Sequence, residues 1–300
     1  MMAIRLNKQQ VIYNFSKEHP PALIVENGAT IQVETADCFT DQIDSANYAF
    51  SGLNWDQINP ATGPIFVKGA EPGDVLKVKI KKIELDSMAT MITGPDMGVL
   101  GSELTQTTIK KCPIKNDFVQ LNSTLKVKVN KMIGVIGTAP KDEAISCGTP
   151  DAHGGNMDCK EITEGADLYL PVHTKGALLA LGDVHAAMGD GEVAVCGAEV
   201  ASLVTIEVHI LKNSSVPTPL LVNSEKIMTI SSFPTLDEAS VDATKKMVFL
   251  LQEKSQLSSA DAILLLSLAG DLRICQIVDP NKTVRMELDK HYLNCPWLTN

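Results

Sequence analysis

Residues 75–83 read VLKVKIKKI, and within this stretch apolar side chains alternate with lysines from Leu76 to Ile80. Residues 125–129, LKVKV, repeat the alternation. A period of two places successive side chains on opposite faces of a β-strand, so that one face is buried and the other meets water. Both stretches therefore predict strands of sheets that have one solvated face.

Similar short runs extend over most of the first 230 residues, between turn sequences such as residues 71–74 and 94–96. The runs predict strands at residues 22–26, 30–35, 64–67, 75–83, 125–130, 176–181, 192–195 and 200–211. Many short strands separated by turns favour a sandwich or a barrel over a sheet built from βαβ units.

The pattern changes after Pro234. Residues 235–238, TLDE, fit a helix capping box, and apolar residues at helical spacing follow them. A second cap at residues 258–261 opens a helix over residues 262–269, which Gly270 closes. These signals predict two helices near the C-terminus.

A last strand is predicted at residues 272–278. The chain is thus predicted to be mainly β, with sandwich-like or barrel-like sheets and an α+β C-terminal part. We expect a mainly β domain over residues 1–212 that carries most of the functional site, and an α+β region over residues 213–300. The joint falls near residues 213–219, which hold two serines and two prolines.

The composition of the chain indicates which kinds of molecule the protein binds. The 300 residues include 26 basic and 36 acidic side chains, a net charge of −10, which argues against binding to a nucleic acid backbone. No apolar run approaches the roughly 20 residues of a membrane helix, and the N-terminus lacks the apolar core of a signal peptide. Seven cysteines without a CxxC pair indicate free thiols in a reducing compartment. We therefore expect a cytoplasmic protein that acts on small molecules.

Residues 181–200, LGDVHAAMGDGEVAVCGAEV, concentrate acidic groups around one histidine. Asp183 and His185 are two residues apart, so on a strand they project from the same face. Gly189–Gly191 is a turn sequence, and Glu192 follows it directly. These side chains can converge on a divalent metal ion and leave one carboxylate to carry protons.

Structural roles are open for the same residues. Asp190 has the sequence context of an ordinary turn residue. Asp183 and His185 have apolar neighbours, and can instead form a hydrogen-bonded pair in the core. Spacing alone does not separate these alternatives.

Two further stretches carry candidate ligands. In residues 151–159, DAHGGNMDC, the paired glycines let Asn156 or Asp158 approach a ligand closely, whereas His153 fits an ordinary loop. Asp37 follows the strand predicted at residues 30–35, where a carboxylate serves as a metal ligand or, more often, as a turn residue.

Cysteines flank each of the three stretches. Cys38, Cys159 and Cys196 have no histidine at a spacing that would activate a thiolate. Buried thiols that form walls are therefore favoured over nucleophiles.

Taken together, these stretches resemble the acetamidase/formamidase family, which is distinct from the nitrilase-type amidases. The matching segments run along nearly the whole chain: residues 37–42, 59–65, 69–74, 155–158, 182–185, 189–192, 196–199 and 265–273. The chain is similar to the shorter branch of the family, and Met188 stands where the longer branch tends to have glutamine.

The resemblance implies hydrolysis of formamide or acetamide to the carboxylic acid and ammonia, with some relatives acting on lactams. It also implies a largely β fold with an α/β C-terminal part, a bound divalent metal, zinc being expected, and homodimers or higher homo-oligomers. Family site positions correspond to Asp37, Asn156, Asp158, Asp183, His185, Glu192 and Glu199.

From these residues we formulate a mechanistic hypothesis. Asp37, Asp183 and His185 are expected to bind the metal, which polarises the amide and acidifies water. Glu192 is expected to transfer a proton from water to the departing ammonia, and Asn156 to donate to the developing oxyanion.

Asp158 and Glu199 are expected to orient the metal ligands and the reacting groups through hydrogen bonds.

Two alternative functions remain open from the sequence. One is an enzyme of the same kind that opens a cyclic amide. The other is a non-catalytic protein that holds calcium through oxygen ligands, against which the imidazole of His185 argues.

Overall fold

The protein is described by a computed structural model over residues 4–45 and 50–293. Its strands and helices, in chain order, are β1 (Ile4–Leu6), β2 (Val11–Ile12), β3 (Asn14–Phe15), β4 (Leu23–Val25), β5 (Thr30–Thr35), β6 (Ala61–Val67), β7 (Val75–Leu85), β8 (Met88–Thr93), β9 (Thr108–Lys115), β10 (Phe118–Gln120), β11 (Lys126–Lys128), β12 (Met132–Gly137), β13 (Ile145–Ser146), β14 (Gly154–Asn156), β15 (Asp167–Pro171), β16 (Leu179–His185), β17 (Ser202–Leu211), β18 (Leu220–Val222), β19 (Lys226–Phe233), α1 (Leu236–Ser255), α2 (Ser259–Ala269), β20 (Asp271–Gln276) and β21 (Lys282–Asp289). Short 3₁₀ helices lie at Phe50–Gly52, Trp55–Gln57, Gly101–Glu103 and Lys290–Tyr292.

Two large sheets form the framework of the described residues. The longer sheet has the strand order β1-β5-β17-β7-β15-β18-β19-β21-β20. The second has the order β14-β12-β16-β6-β2, with β4 also paired to β6. A smaller sheet, β11-β10-β9-β8, and the pair β13-β3 complete the set. The protein is therefore mainly β with a helical pair near its C-terminus, and the predicted fold class is confirmed.

The main hydrophobic core lies between the sheets. It includes Ile31 and Val33 of β5, Leu76 and Val78 of β7, and Ile133 of β12. These residues lie on the inward faces of their strands, where apolar side chains gain most from leaving water. Neither helix in the described ranges has the length and apolarity that crossing a membrane requires.

The helix signals are confirmed in detail. The Thr235 hydroxyl accepts a hydrogen bond from the Glu238 N–H at 3.2 Å, as the capping box predicts. The Ser258 hydroxyl likewise accepts from the Asp261 N–H at 3.1 Å. Gly270 ends α2 by donating its N–H to the carbonyl of Leu266. The apolar positions of α1 form a second core with β19 and β21.

Several strand predictions need correction. Residues 192–195 form a turn closed by a hydrogen bond from the Val195 N–H to the Glu192 carbonyl, because Glu192 has a left-handed φ of 47°. The strand at residues 125–130 shortens to β11, an outer strand that is exposed on both faces. Lys77, on the face of β7 predicted to be solvated, is buried and pairs with Asp167 at 3.0 Å.

The expected boundary at residues 212 and 213 lies within a continuous sheet. Strand β15 precedes it and β18 follows it, and the two pair antiparallel, with Leu168 opposite Leu221. Backbone hydrogen bonds therefore join the two expected regions in one sheet. Their division into two regions stays a prediction.

The turn between β16 and β17 is anchored to the C-terminal strands by a buried arginine. Both guanidinium Nη atoms of Arg285 donate to the carboxylate of Asp190, at 2.8 and 2.9 Å, and Nε of Arg285 donates to Glu287 at 2.7 Å. The Gly191 N–H also donates to the Cys275 carbonyl at 2.8 Å. Asp190 is thus more than a turn residue: it fixes the position of the loop that carries Glu192.

We predict that Asp190→Asn lowers the free energy of unfolding by about 3 kcal/mol, because it removes the charge facing an arginine that is 2% exposed. Chemical denaturation measures this change. The matched control, Glu26→Gln, breaks the exposed pair with Lys68 and should cost less than about 1 kcal/mol. Equal effects of the two substitutions would show that the buried pair does not anchor the turn.

Candidate active site

The site is built on the C-terminal end of β16. His185 and Asp183 both project from this strand, and His185 Nε2 lies 3.5 Å from Asp183 Oδ1. Both residues are buried, as their apolar neighbours indicated. The predicted convergence of this pair is therefore observed.

Three loops bring further carboxylates to the same point. Glu199 lies between β8 and β16, held by backbone hydrogen bonds with Thr90, and its Oε1 is 3.1 Å from His185 Nε2. Asp158 follows β14, and its Oδ1 is 3.8 Å from the same nitrogen. Glu192 completes a group with Asp158 and His185 whose ligand atoms all lie within 4.8 Å of one another. We call Asp158, Asp183, His185, Glu192 and Glu199 the central cluster.

Three members of the central cluster have left-handed backbones. The φ angles are 42° at Asp158, 53° at Asp183 and 47° at Glu192. Non-glycine residues rarely adopt this region, and strain of this kind concentrates at functional sites. The surrounding sheets hold these residues in a conformation that aims their carboxylates inward.

Gly134 and Gly197 provide the space that the cluster needs. A Cβ on Gly134 would lie 2.5 Å from both Asp158 Oδ1 and Asp183 Oδ2. A Cβ on Gly197 would lie 2.4 Å from His185 Nδ1. Since real Cβ atoms do not approach so closely, a side chain at either position would displace the cluster.

The central cluster contains many buried polar atoms without a hydrogen-bond partner. They are Nδ1 of His185, both carboxylate oxygens of Asp158, Oδ1 of Asp183 and Oε2 of Glu199. Buried polar atoms are normally paired, and an unpaired one costs free energy. One imidazole and several carboxylates are also the donors that a divalent cation uses in proteins. The residues present therefore fit a metal ion.

The pKa shifts of the cluster residues also indicate a site for positive charge. Burial raises the pKa of Asp158, Glu192 and Glu199 well above the ordinary range of a carboxyl group. Burial lowers the pKa of His185, but the charges of Glu199 and Asp183 more than offset this and raise it well above its usual value. Without a cation, the cluster holds protons in place of positive charge.

The C-terminal region also contributes a residue that the sequence reasoning missed. Asn156 Nδ2 donates to Asp279 Oδ2 at 3.0 Å, and Asp279 lies in the turn between β20 and β21. Gln276 stabilises this turn by accepting from the N–H groups of Val278 and Asp279. Asn281 Nδ2 ties the turn to the Pro150 carbonyl at 2.9 Å. The Asp-Pro sequence suggested only the end of a strand, so no local signal pointed to the site.

A cavity of about 370 Å³ gives the cluster room for a ligand. Its polar wall consists of Asn156, Asp183, Glu192, Glu199 and Asp279. Apolar side chains, including Trp55 and Met97, line the other side. A mostly apolar pocket with a few converging polar groups is the usual form of a small-molecule site.

The structure brings the sequence-predicted residues together with one exception. Asp37 belongs to neither group of converging donor atoms, because its Oδ1 accepts from the N–H groups of Phe39, at 3.0 Å, and Asp41, at 2.7 Å. Burial raises the pKa of Asp37 to about 6. Its neighbour Cys38 is placed instead with Asp183 and Glu199 in the second group.

The other residues considered from sequence lie beside the site. Cys196 lines the cavity, where its Sγ exchanges hydrogen bonds with the backbone of Ile92 at 3.2 Å. His153 is buried against Phe15, with ring centroids 4.9 Å apart, and burial lowers its pKa to about 4. His153 belongs to neither group of converging donor atoms found among the described residues.

The chain is similar to known proteins of one family. The profile of the acetamidase/formamidase family matches residues 3–147 and 142–290. The crystal structure of an acetamidase from Bacillus halodurans is 46% identical, with a TM-score of 0.95 over 96% of this chain and 98% of that one. A predicted acetamidase/formamidase from Thermoanaerobacter tengcongensis is also 46% identical, with a TM-score of 0.94 over 97% and 96% of the two chains.

A curated relative is more distant. A putative formamidase of Schizosaccharomyces pombe is 28% identical over 299 residues, which cover 77% of this chain and 73% of the relative. The buried cluster beside a cavity defines an enzyme site, and the comparisons define its class, an amidase. The chain belongs to the acetamidase/formamidase family.

We predict that Gly134→Ala disrupts the central cluster, because its methyl group would occupy space taken by the carboxylates of Asp158 and Asp183. Amidase activity should fall at least tenfold, while circular dichroism shows the β-sheet content retained. Gly189→Ala is the control, since nothing lies within 4 Å of its Cβ position. Full activity in Gly134→Ala would mean that the carboxylates are not needed where the structure has them.

Proposed function

We propose that the protein hydrolyses small aliphatic amides, formamide and acetamide among them, to a carboxylic acid and ammonia with the aid of a divalent metal ion. The observation that supports this most is the set of buried polar atoms without partners around His185, beside a cavity that Asp183, Glu192 and Glu199 line. An amide is a poor electrophile and water is a poor nucleophile, so such a hydrolysis needs both to be activated.

Asp158, Asp183 and His185 are the residues that would hold the metal. His185 would use Nε2, because Nδ1 faces the backbone of Gly197. Asp37, which the sequence suggested, is replaced in this proposal by Asp158, whose two oxygens are without partners. When bound, the metal would polarise a carbonyl group and acidify water.

Glu192 and Asn156 have the positions for proton transfer and orientation. Glu192 lines the cavity, and one of its carboxylate oxygens lies within 4.8 Å of the ligand atoms of Asp158 and His185, where it can accept a proton from water and return it to departing ammonia. Asn156 uses one N–H on Asp279, which orients its amide and leaves the second N–H for the developing oxyanion. Glu199 orients the imidazole of His185.

Zinc is the metal that we propose. The imidazole nitrogen of His185 suits zinc, whereas calcium prefers oxygen ligands alone. A calcium-binding protein without activity is the alternative, which metal analysis can distinguish.

His185→Ala tests this proposal. We predict that it loses both bound metal, measured by mass spectrometry of the purified protein, and ammonia release from acetamide. The matched control His209→Ala, which changes a half-buried histidine bonded to Glu207, should keep both. Treatment of the wild type with a chelator should abolish ammonia release, and zinc should restore it. Retention of metal and activity in His185→Ala would contradict the proposal.

We also propose that the protein is a homodimer, on the basis of an apolar surface at the C-terminal end of the long sheet. Helix α2 exposes Ile263, Leu264 and Leu268, the last of which is 87% exposed. Leu272 and Ile274 of the outermost strand, β20, are exposed next to them. Such a patch beside an open strand edge favours association.

A second copy is the occupant that fits this surface. Antiparallel pairing of two β20 strands about an axis at Leu272 would place Asp271 opposite Arg273 of the partner subunit, so the charges are self-complementary. We further propose a reducing, cytoplasmic setting, because the cysteines of the described residues are free and buried.

We predict that Leu268→Lys converts the dimer into a monomer, since it places a charge in the apolar contact. Sedimentation velocity measures the mass of each form. The control Leu100→Lys changes an exposed leucine that belongs to neither α2 nor β20, and it should leave the dimer intact. A monomeric wild type, or a dimeric Leu268→Lys, would contradict this interface.

A further inference from the structure

The cavity above the central cluster is larger than formamide or acetamide requires. Its volume is about 370 Å³. Pockets that enclose drug-sized ligands measure roughly 300–1,000 Å³, and this cavity falls within that range. Acetamide has only four non-hydrogen atoms and is far smaller than such ligands. The space left over is well beyond what the smallest amides need.

The rest of the lining is mainly apolar. We call its six apolar side chains the apolar wall: Phe39, Trp55, Ile58, Ile92, Met97 and Val195. Asn59 and the exposed Asp96 also line the cavity, whereas its other polar groups belong to the central cluster, Asn156 and Asp279. A ligand with one polar end and one apolar end would therefore match the central cluster and the apolar wall at once.

The apolar wall is supported by the fold. Ile92, in β8, is buried, and Phe39 is buried in the loop after β5. Trp55, in a 3₁₀ helix capped by Asn54, is 55% exposed and packs edge-on against Phe50 at 5.4 Å between ring centroids. Met97 lies in the turn closed by its N–H to the Gly94 carbonyl, and its flexible side chain adapts to ligand shape.

We propose that the preferred substrate is a primary amide whose acyl group is an apolar chain or ring of roughly five to eight carbon atoms, set by this wall. The inference rests on the amidase function proposed above and specifies its substrate class. The reaction balances as the amide plus water giving the carboxylic acid plus ammonia. The C–N bond breaks, a C–O bond forms to the oxygen of water, one proton of water passes to nitrogen, and the other stays on the carboxylic acid.

The test compares kcat/KM for ammonia release from formamide, acetamide, hexanamide and phenylacetamide, using the zinc-loaded protein. Hexanamide and phenylacetamide should exceed acetamide at least tenfold, because each buried methylene adds to binding of the transition state. Adipic acid monoamide, which has a similar length but a carboxylate end, should be poorer than hexanamide by a similar factor, since a negative charge is costly against an apolar wall and beside Asp96.

A substitution in the wall locates the effect. Met97→Trp should reduce the ratio of kcat/KM for hexanamide to that for acetamide at least tenfold, by filling the space for the chain. Leu100→Trp, which changes an exposed residue outside the cavity lining, should leave this ratio unchanged.

The outcomes separate the two levels of the proposal. Absence of ammonia from every amide would overturn the amidase function proposed for this site. Acetamide or formamide turned over as efficiently as hexanamide would overturn the substrate class and leave the amidase function standing. An unchanged ratio in Met97→Trp would show that the apolar wall does not contact the acyl group.

Discussion

The concentration of negative charge in a dry interior is the constraint on which this structure depends. Asp158, Asp183, Glu192 and Glu199 surround a single imidazole, and all are buried. Isolated buried charges are too costly to persist, so the fold must supply either protons or a cation. The central cluster fits the cation, because one imidazole and several carboxylates are the donors that divalent metals use in proteins.

The fold accommodates these carboxylates by placing them against glycine backbone, where no side chain takes up the space. Gly134 in β12 lies beside Asp183 of β16, where the missing Cβ leaves room for two carboxylates. The left-handed conformations at Asp183 and Glu192 then turn their side chains inward. The C-terminal strands complete the site at a distance, since Arg285 fixes the turn before Glu192 and the β20–β21 turn delivers Asp279 to Asn156. The site is therefore shared between both predicted regions of the chain.

Local patterns were predictable where local forces decide the structure. The strand at residues 30–35 and the caps at Thr235 and Ser258 follow from alternation and from side chains that satisfy nearby N–H groups. The period of a strand predicted that Asp183 and His185 lie close together, but not the left-handed backbone at Asp183 that turns its carboxylate inward. By contrast, β12, with the sequence MIGVIG, is buried throughout and shows no alternation that marks it as a strand.

Long-range features were beyond such reasoning. Nothing near Asp279 indicates that it reaches Asn156 across 123 positions of the chain. Asp37 and Cys38 are adjacent in the sequence. In the structure the carboxylate of Asp37 accepts hydrogen bonds within its own turn, and the thiol of Cys38 lies with Asp183 and Glu199 instead. The role of Asp190 likewise depends on an arginine 95 residues away.

Anomalous X-ray diffraction from crystals of the purified protein, collected at the zinc absorption edge, tests the central claim most directly. The account predicts one strong peak bounded by His185 Nε2 and the carboxylates of Asp158 and Asp183, at about 2.0–2.2 Å from its ligands. A fully ordered cluster without such a peak in zinc-supplemented crystals, its carboxyl groups paired through protons, would contradict it.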